Sequence, residues 1–346
     1  MNRYIVDVLR KWSLLVVLVL LMAGCASEFD EFDTGVKVEF MAPYLQDMEI
    51  QTKAPSGYGS TVSGSTSMGV FVSGMQNEST VTYNGSSWES SLKLDPATYN
   101  IYSYIPKRNG VTFSGNVITF TNVPFIMSEE ILLSSGAVAE TVHKNNDTYT
   151  PADITGNLVK NSYSINVESA ENTRNYVTFM MDRVMAKVNL NFKVHEKYSK
   201  IRTIKIKEVT LKPAAGNYQS VNIDCTMNDG SAIGYVMSKG AAVDNKVSFS
   251  ITDDRLVLDN TSAKRAGVFY SVPGVQNSVV MTVTYDVYDK AGTLVRENQT
   301  VTNSSIKLIG AGILERAKEY TLNVNIVPTY LYSLSDTDKE SVMLVP

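Results

Sequence analysis

The sequence contains few of the residues from which enzymes and metal sites are commonly built. Its 346 residues include only two histidines and two cysteines, and charged residues make up 19%. So few histidines and cysteines exclude a disulfide framework and leave little for a zinc site. The net charge of −4, from 31 basic and 35 acidic residues, indicates no basic surface for nucleic acid. The composition therefore argues against most enzyme classes and against nucleic acid as a partner.

The candidate catalytic residues stand alone or in adjacent pairs. His143 lies in a polar turn and His195 follows an alternating run, neither with a second ligand at metal-site spacing. The acidic pairs are Glu129–Glu130 and Asp253–Asp254. Successive strand residues point to opposite faces, so adjacent carboxylates would not meet over one substrate as in a glycosidase. We interpret the pairs as solvated turns and the histidines as surface residues, and we predict no enzyme activity, cofactor site or metal site.

The first 24 residues have the pattern of an export signal. Three basic residues precede an apolar run over residues 13–22, about half the ~20 residues that a membrane-spanning helix needs. Ala23 and Gly24 stand directly before Cys25, which resembles the lipobox of bacterial lipoproteins. The resemblance implies that residues 1–24 are removed and that Cys25 carries acyl chains such as palmitate, which anchor the protein in the outer membrane. The alternatives are an ordinary signal peptide with a chance cysteine and an uncleaved short anchor.

An acidic stretch follows the lipobox. Residues 25–35 include four carboxylates and form a tether that resembles the surface-export signals of Bacteroidetes lipoproteins. A solvated linker without a signalling role is the alternative. If Cys25 is acylated, Cys225 is the one remaining thiol. Because it lies in a strand-like run, we predict that it is a buried apolar residue without a disulfide.

Alternation of apolar and polar residues predicts β-strands through the rest of the chain. It is clearest over residues 184–194, where the residues expected to face a core are Val184, Val188, Leu190, Phe192 and Val194. The same pattern predicts strands over residues 36–40, 70–72, 99–104, 117–120, 279–287 and 320–326. Asp289–Gly292 predicts the turn of a hairpin after residue 287.

A change of phase predicts a bulge. Ile204 and Ile206 carry the alternation on even positions, and Val209 and Leu211 carry it on odd positions. A shift of one residue turns a strand's apolar set to the other face. One extra residue near Lys207–Glu208 would keep all four side chains on the same core.

Short alternating strands with glycine, asparagine, serine and aspartate turns predict an all-β fold of β-sandwich type. The polar stretch over residues 157–175 divides the chain into an N-terminal sandwich domain, residues 36–175, and a C-terminal one, residues 176–346. Residues 57–67 are rich in glycine, serine and threonine and predict a loop.

Five short runs are scattered over nearly the whole chain after the lipobox. They are Gly69–Val72, Tyr99–Pro106, Asp182–Val188, Leu314–Val324 and Pro328–Asp336. Their order and spacing, together with the lipobox, resemble the Bacteroidetes fimbrillin superfamily, the subunits of type V pili. The resemblance implies two transthyretin-like β-sandwich domains in tandem. It also implies a non-enzymatic fimbrium subunit of the shaft or tip, exported as an outer-membrane lipoprotein and contributing to cell adhesion.

The family's assembly implies proteolysis and strand exchange. A trypsin-like protease, usually cutting after arginine, removes the lipidated N-terminal strand, and the carboxy-terminal strand of a neighbouring subunit fills the groove. Here no arginine lies between Cys25 and Lys107, and Lys53 occupies a plausible position for the cut. Lys53 as a solvated loop residue is the alternative. An uncut chain would correspond to a fimbrium anchor that keeps its lipid and remains in the membrane.

The tail offers a candidate donor strand. Its apolar residues at alternate positions are Tyr330, Tyr332, Leu334, Val342 and Leu344. The partners expected are other fimbrial subunits, the outer membrane, and a host or bacterial surface ligand. The alternatives are a tail that completes its own domain and a surface glycan-binding lipoprotein. The latter needs an exposed aromatic platform, for which Trp88 is the one tryptophan after the signal.

Overall fold

The computed structural model describes residues 35–50, 60–62, 66–143, 159–170, 173–274, 278–310 and 312–327, with only the main chain of residues 49, 50, 142 and 143. Within these ranges the chain is nearly all β-strand, and the predicted all-β fold class is confirmed. One helix of four residues, Glu196–Ser199 (α1), and one 3-10 turn, Asp254–Leu256, interrupt the strands.

The described strands are numbered in chain order. They are β1 (Val36–Phe40), β2 (Tyr44–Leu45), β3 (Glu49–Ile50), β4 (Ser60–Thr61), β5 (Ser67–Val72), β6 (Ser79–Tyr83), β7 (Trp88–Ser90), β8 (Lys93–Leu94), β9 (Ala97–Ile105), β10 (Val111–Ser114), β11 (Val117–Pro124), β12 (Ile126–Met127), β13 (Leu132–His143), β14 (Ser164–Val167), β15 (Thr173–Arg183), β16 (Ala186–Val194), β17 (Thr203–Pro213), β18 (Ser220–Thr226), β19 (Gly234–Lys239), β20 (Val247–Ser250), β21 (Val257–Leu258), β22 (Lys264–Ser271), β23 (Ser278–Tyr288), β24 (Leu294–Lys307) and β25 (Lys318–Ile326).

Seven strands of the largest sheet form a closed ring. The order β15-β13-β9-β5-β6-β7-β1 returns to its start because β1 pairs with β7 on one side and with β15 on the other. The shorter strands β2, β8 and β14 attach to members of this ring, and β4 pairs with β2. One buried apolar cluster, which we call the ring core, includes Val38, Val70, Ile101, Val177 and Phe179. Closing a sheet on itself in this way removes its free edges.

Three further sheets share a second core. Their orders are β10-β11-β18-β19, β12-β22-β16-β25-β3 and β20-β17-β23-β24, with β21 beside β17. The five residues of 184–194 that were predicted to face a core are all buried in this cluster. The residues at the odd positions of 279–287 are buried in the same cluster. The alternation therefore identified the inward faces of these strands.

Strands from distant parts of the sequence pair across the molecule. β11 pairs antiparallel with β18, with Ile118 opposite Cys225, and β12 pairs with β22. β3, near the start of the described chain, pairs in parallel with β25, near its end. The division into two sandwich domains near residue 175 stays a prediction; the strand β15 crosses that position and lies in the ring throughout.

The two local predictions for the strand-rich second half are confirmed. The register between β17 and β23 shifts between Ile206 and Glu208, which makes Lys207 the extra residue of a bulge. Ile204, Ile206 and Val209 are consequently all fully buried. The β23–β24 hairpin turns at residues 289–292, where the Asp289 carboxylate accepts hydrogen bonds from the main-chain N–H groups of residues 291 and 293.

Cys225 is fully buried, as predicted for an apolar cysteine. Burial raises the pKa of its thiol to about 12, because the thiolate loses its hydration. The nucleophilic form of this cysteine is therefore suppressed in the folded protein.

We expect Phe120→Ala to lower the free energy of unfolding by about 3–5 kcal/mol, because it empties a buried aromatic site. Phe120 is fully buried on β11 and packs edge-to-face on Tyr104 of β9 at 5.4 Å. Since β11 pairs with β18, the loss should appear as one shifted transition in urea unfolding followed by circular dichroism. Thr121→Ala, an exposed neighbour, is the control. A second transition that stays at its original midpoint would contradict this cooperativity.

We also expect Cys225 to resist alkylation until the chain unfolds. With a pKa of about 12, roughly one thiol in ten thousand would be ionised at pH 8. The test is iodoacetamide labelling of the Cys25→Ser chain, in which Cys225 is the only thiol, followed by mass spectrometry with and without denaturant. Rapid labelling of the folded chain would show that the β11–β18 region opens.

Candidate functional site

The strand β1 connects the two sides of the ring through its main chain. It runs parallel to β15, with Val38 opposite Asn175 and Phe40 opposite Val177. On its other side it runs antiparallel to β7 and β8, and the Val38 N–H donates to the Leu92 carbonyl at 3.1 Å. Its removal would expose unpaired N–H and C=O groups on both neighbours.

Two side chains of β1 enter the ring core. Val38 is fully buried and Phe40 is 4% exposed, whereas Lys37, which precedes Val38, is exposed. The ring of Phe40 stacks on that of Phe179 on β15 at 6.1 Å. This is the alternation predicted over residues 36–40, and it places the strand's apolar face in the ring core.

The chain continues along β15 beyond β1. The Met41 N–H donates to the Val177 carbonyl and the Gln46 N–H to the Met181 carbonyl, both at 2.9 Å. Between these bonds β2 pairs in parallel with residues 180 and 181 of β15. Residues 36–46 therefore form one extended stretch along β15.

Arg183 binds the end of that stretch. Its Nε–H donates to the Gln46 carbonyl at 2.7 Å, and its main-chain N–H donates to Gln46 Oε1 at 3.1 Å. The same guanidinium is ion-paired with Glu130. One arginine thus joins the 36–46 stretch, the end of β15 and the start of β13.

The interpretation of Glu129 and Glu130 as a solvated turn is wrong for Glu130. Its side chain is 11% exposed, and that of its partner Arg183 is 12% exposed. Loss of water raises the pKa of the Glu130 carboxyl, and the Arg183 charge opposes this rise. Glu129 is exposed, as predicted.

The segment reaches a second sheet before the described residues stop at residue 50. β3 pairs in parallel with β25, with residue 49 opposite Lys318 and residue 50 opposite Glu319. Residues 36–50, which we call the leading segment, therefore pair with the ring and with the sheet that holds β16. Two residues lie between the end of this segment and Lys53.

A groove of about 420 Å³ borders β1. Its walls include Val38, Phe40 and Ala42 of the leading segment, with Tyr83 and Trp88 of the β6–β7 hairpin. Trp88 is 6% exposed and lies against Tyr83 at 5.4 Å. So little of its ring is open that Trp88 does not supply the aromatic platform required by the glycan-binding alternative.

The other candidate residues have structural roles. The His195 Nδ1 accepts a hydrogen bond from the Lys197 N–H and caps α1. Asp253 caps the 3-10 turn and Asp254 pairs with Lys205 at 2.6 Å, both exposed as predicted for a solvated turn. Across the described ranges, no group of three or more histidine, cysteine, aspartate or glutamate side chains could hold a metal ion.

Several predicted sites lie outside the described residues. They are Cys25, Lys53, the side chain of His143, and the tail residues Tyr330, Tyr332, Leu334, Val342 and Leu344. Lipid attachment, proteolytic processing and strand donation therefore stay predictions. Among the helices of the described ranges, none has both the length and the apolar content that crossing a membrane requires.

Sequence reasoning identified β1 but missed its polar anchor. Gln46 and Arg183 are 137 residues apart, and neither lies in a pattern that indicates its partner. The one available signal was the arginine of the Asp182–Val188 run, which ends the ring's last strand.

No family model matches the chain, and no curated protein matches its sequence. Solved structures that are similar to it include a fimbrial protein from Bacteroides vulgatus, 13% identical, covering 82% of this chain and 95% of that one, with a TM-score of 0.40. A provisionally assigned cell adhesion protein from Bacteroides fragilis is 10% identical, covering 84% and 92%, with a TM-score of 0.43. Another such protein, from Bacteroides ovatus, is 12% identical over 84% and 92%, with a TM-score of 0.40.

The solved structures similar to this chain thus include fimbrial and provisionally assigned adhesion proteins of Bacteroides. TM-scores below 0.5 mean that the backbones superimpose only loosely. The support for a function is therefore the strand geometry of this chain.

We expect Phe40→Ala to loosen the leading segment while the rest of the ring stays folded. The substitution removes the stack on Phe179 and about 3–5 kcal/mol of packing. Hydrogen exchange with mass spectrometry should show faster exchange over residues 36–46 than in the unchanged protein. Lys37→Ala, on the exposed face of the same strand, is the matched control. Equal exchange in the two variants would mean that β1 is held by its main chain alone.

Proposed function

We propose that the protein is a structural fimbrium subunit of the shaft or tip that assembles by β-strand exchange and contributes to cell adhesion. It reaches the outer membrane as a lipoprotein through acylated Cys25 and is freed by a cut after Lys53. The observation that carries the proposal is that β1, which closes the ring, belongs to the segment just before this lysine.

The loss of β1 would leave a groove with both kinds of binding surface. The edges of β15 and β7 would present unpaired main-chain groups, and the sites of Val38 and Phe40 would be open. Burying each of these side chains stabilises by about 1.5–3 kcal/mol. An incoming strand with apolar residues at alternate positions restores both the pairing and the burial.

After a cut at residue 53, covalent linkage no longer holds the leading segment in place. It then competes with any other strand only by its main-chain pairing, its apolar contacts with the ring core and its hydrogen bonds with Arg183. The groove along Lys37–Ala42 gives an incoming strand a place beside β1 to begin pairing. If each subunit donates its tail to the next, the head-to-tail contact repeats and builds a filament.

A membrane-retained anchor is the second candidate. The sequence favours it in one respect, because no arginine lies between Cys25 and Lys107 for an arginine-directed protease. An anchor would keep β1 as a permanent strand and the acyl chains on Cys25. It would bind a neighbouring subunit at another surface, or only by donating its own tail.

We expect a trypsin-like protease to convert the full-length chain into polymers. Lys53 should be cut and Lys37 spared, because Lys37 lies in a paired strand. The readouts are a ladder on a non-boiled gel and a new N-terminus at Ala54 by mass spectrometry. Lys53→Ala should give no ladder, and Lys37→Ala should behave like the unchanged protein.

The outcomes separate the candidates. Cutting at Lys53 followed by a ladder supports a shaft or tip subunit. Retained acylated Cys25 in protein isolated from cells, without a ladder after protease, supports the anchor. Complete cutting at Lys53 that leaves only monomers at high concentration would contradict strand exchange.

A further inference from the structure

We infer that Arg183 fixes the register of the strand that lies along β15. When that strand comes from a second copy of the chain, it is the tail stretch that begins at Tyr330. Asp338 of this stretch then takes the place of Gln46 at Arg183. This inference rests on the proposed strand exchange. It adds which part of the tail enters and which side chain specifies its position.

The geometry makes Arg183 an anchor for one position of the leading segment. It donates to both the carbonyl and the side-chain oxygen of Gln46, at 2.7 and 3.1 Å. The Arg183 side chain is 12% exposed, and its guanidinium is also ion-paired with Glu130. Both donors therefore point at a fixed place next to the end of β15.

Apolar contacts alone do not set this register. A slip of two residues keeps the same face of a strand on the core and the same type of main-chain pairing. A buried polar pair distinguishes such registers, because a slipped strand leaves its donors unsatisfied. At Arg183 the slip would leave two buried donors without acceptors, and unsatisfied buried donors destabilise the slipped register.

The anchor defines what an incoming strand of the same direction must contain. The leading segment places apolar residues at positions 38, 40 and 42, and Ala42 packs against the ring core beside the two buried residues. Gln46 follows six residues after Phe40. A donor therefore needs apolar residues at three alternate positions and an acceptor side chain six residues after the second.

One stretch of the tail meets this requirement. Tyr330, Tyr332 and Leu334 supply the three apolar positions, and Asp338 stands six residues after Tyr332. The register that begins two residues later would put Asp336 against the ring core in place of Ala42. In a register that begins at Val342, Pro346 would take the place of Ala42, and proline has no main-chain N–H for strand pairing.

Space and chemistry both suit this stretch. The tyrosines are larger than the side chains they replace, and the 420 Å³ groove is bounded by Val38, Phe40 and Ala42 themselves. Tyr332 in place of Phe40 keeps an aromatic ring beside Phe179. A carboxylate at Asp338 accepts from Arg183 in a charge-assisted hydrogen bond, which is stronger than the bond to an amide.

The donor side is tested with full-length variants in the protease-driven ladder assay. Asp338→Leu should reduce polymer yield about tenfold or more through the lost acceptor. Asp338→Asn keeps an acceptor and should restore most of the yield. Glu340→Leu and Val342→Ser with Leu344→Ser are matched controls and should polymerise normally. Loss of the ladder in either control, with Asp338→Leu unaffected, would overturn the assignment.

The receiving side is tested without assembly. In the uncut chain, Gln46→Leu should speed hydrogen exchange over residues 36–46, and Gln46→Glu should not. If the unchanged protein forms no ladder, strand exchange fails while this measurement still decides the role of Arg183. If the unchanged protein and Asp338→Leu form ladders equally, the register assignment fails and strand exchange stands.

Discussion

The structure depends on one constraint: each main-chain N–H and C=O of a buried strand needs a partner. β1 meets it for both β15 and β7, and so closes the ring. Yet among the described residues of the ring core only Val38 and Phe40 belong to β1. The strand therefore contributes much of the closure and little of the packing. The proposed strand exchange requires this, because most of the core would remain on the other strands if β1 left.

The ring also contacts the remaining sheets through strands other than β1. β11 and β12 leave the N-terminal half and pair with β18 and β22, so two sheets contain strands from both halves. The second core also includes Tyr104 and Tyr163 from strands or loops of the ring side. These contacts do not involve β1. The ring is therefore held against the remaining sheets by interactions that are independent of the strand that closes it.

The sequence predicted which face of a strand is buried, but it did not predict which strands pair with one another. Alternation identified the buried side chains of residues 184–194, and its change of phase located the bulge at Lys207, because both depend only on local geometry. It did not indicate that β11 would pair with β18, about a hundred residues away. The error at Glu130 has the same origin. Its partner Arg183 is 53 residues away, and local polarity predicted solvent where the fold placed an ion pair.

The small number of buried side chains on β1 also explains why a polar contact holds the leading segment at Gln46. Under the proposed strand exchange, β1 cannot be specified by long-range packing of its own, because it carries few buried side chains. Its alternation selects a face, and two of its registers two residues apart are nearly equivalent on that face. The guanidinium of Arg183, held by Glu130 at the end of β15, breaks this equivalence at a single position.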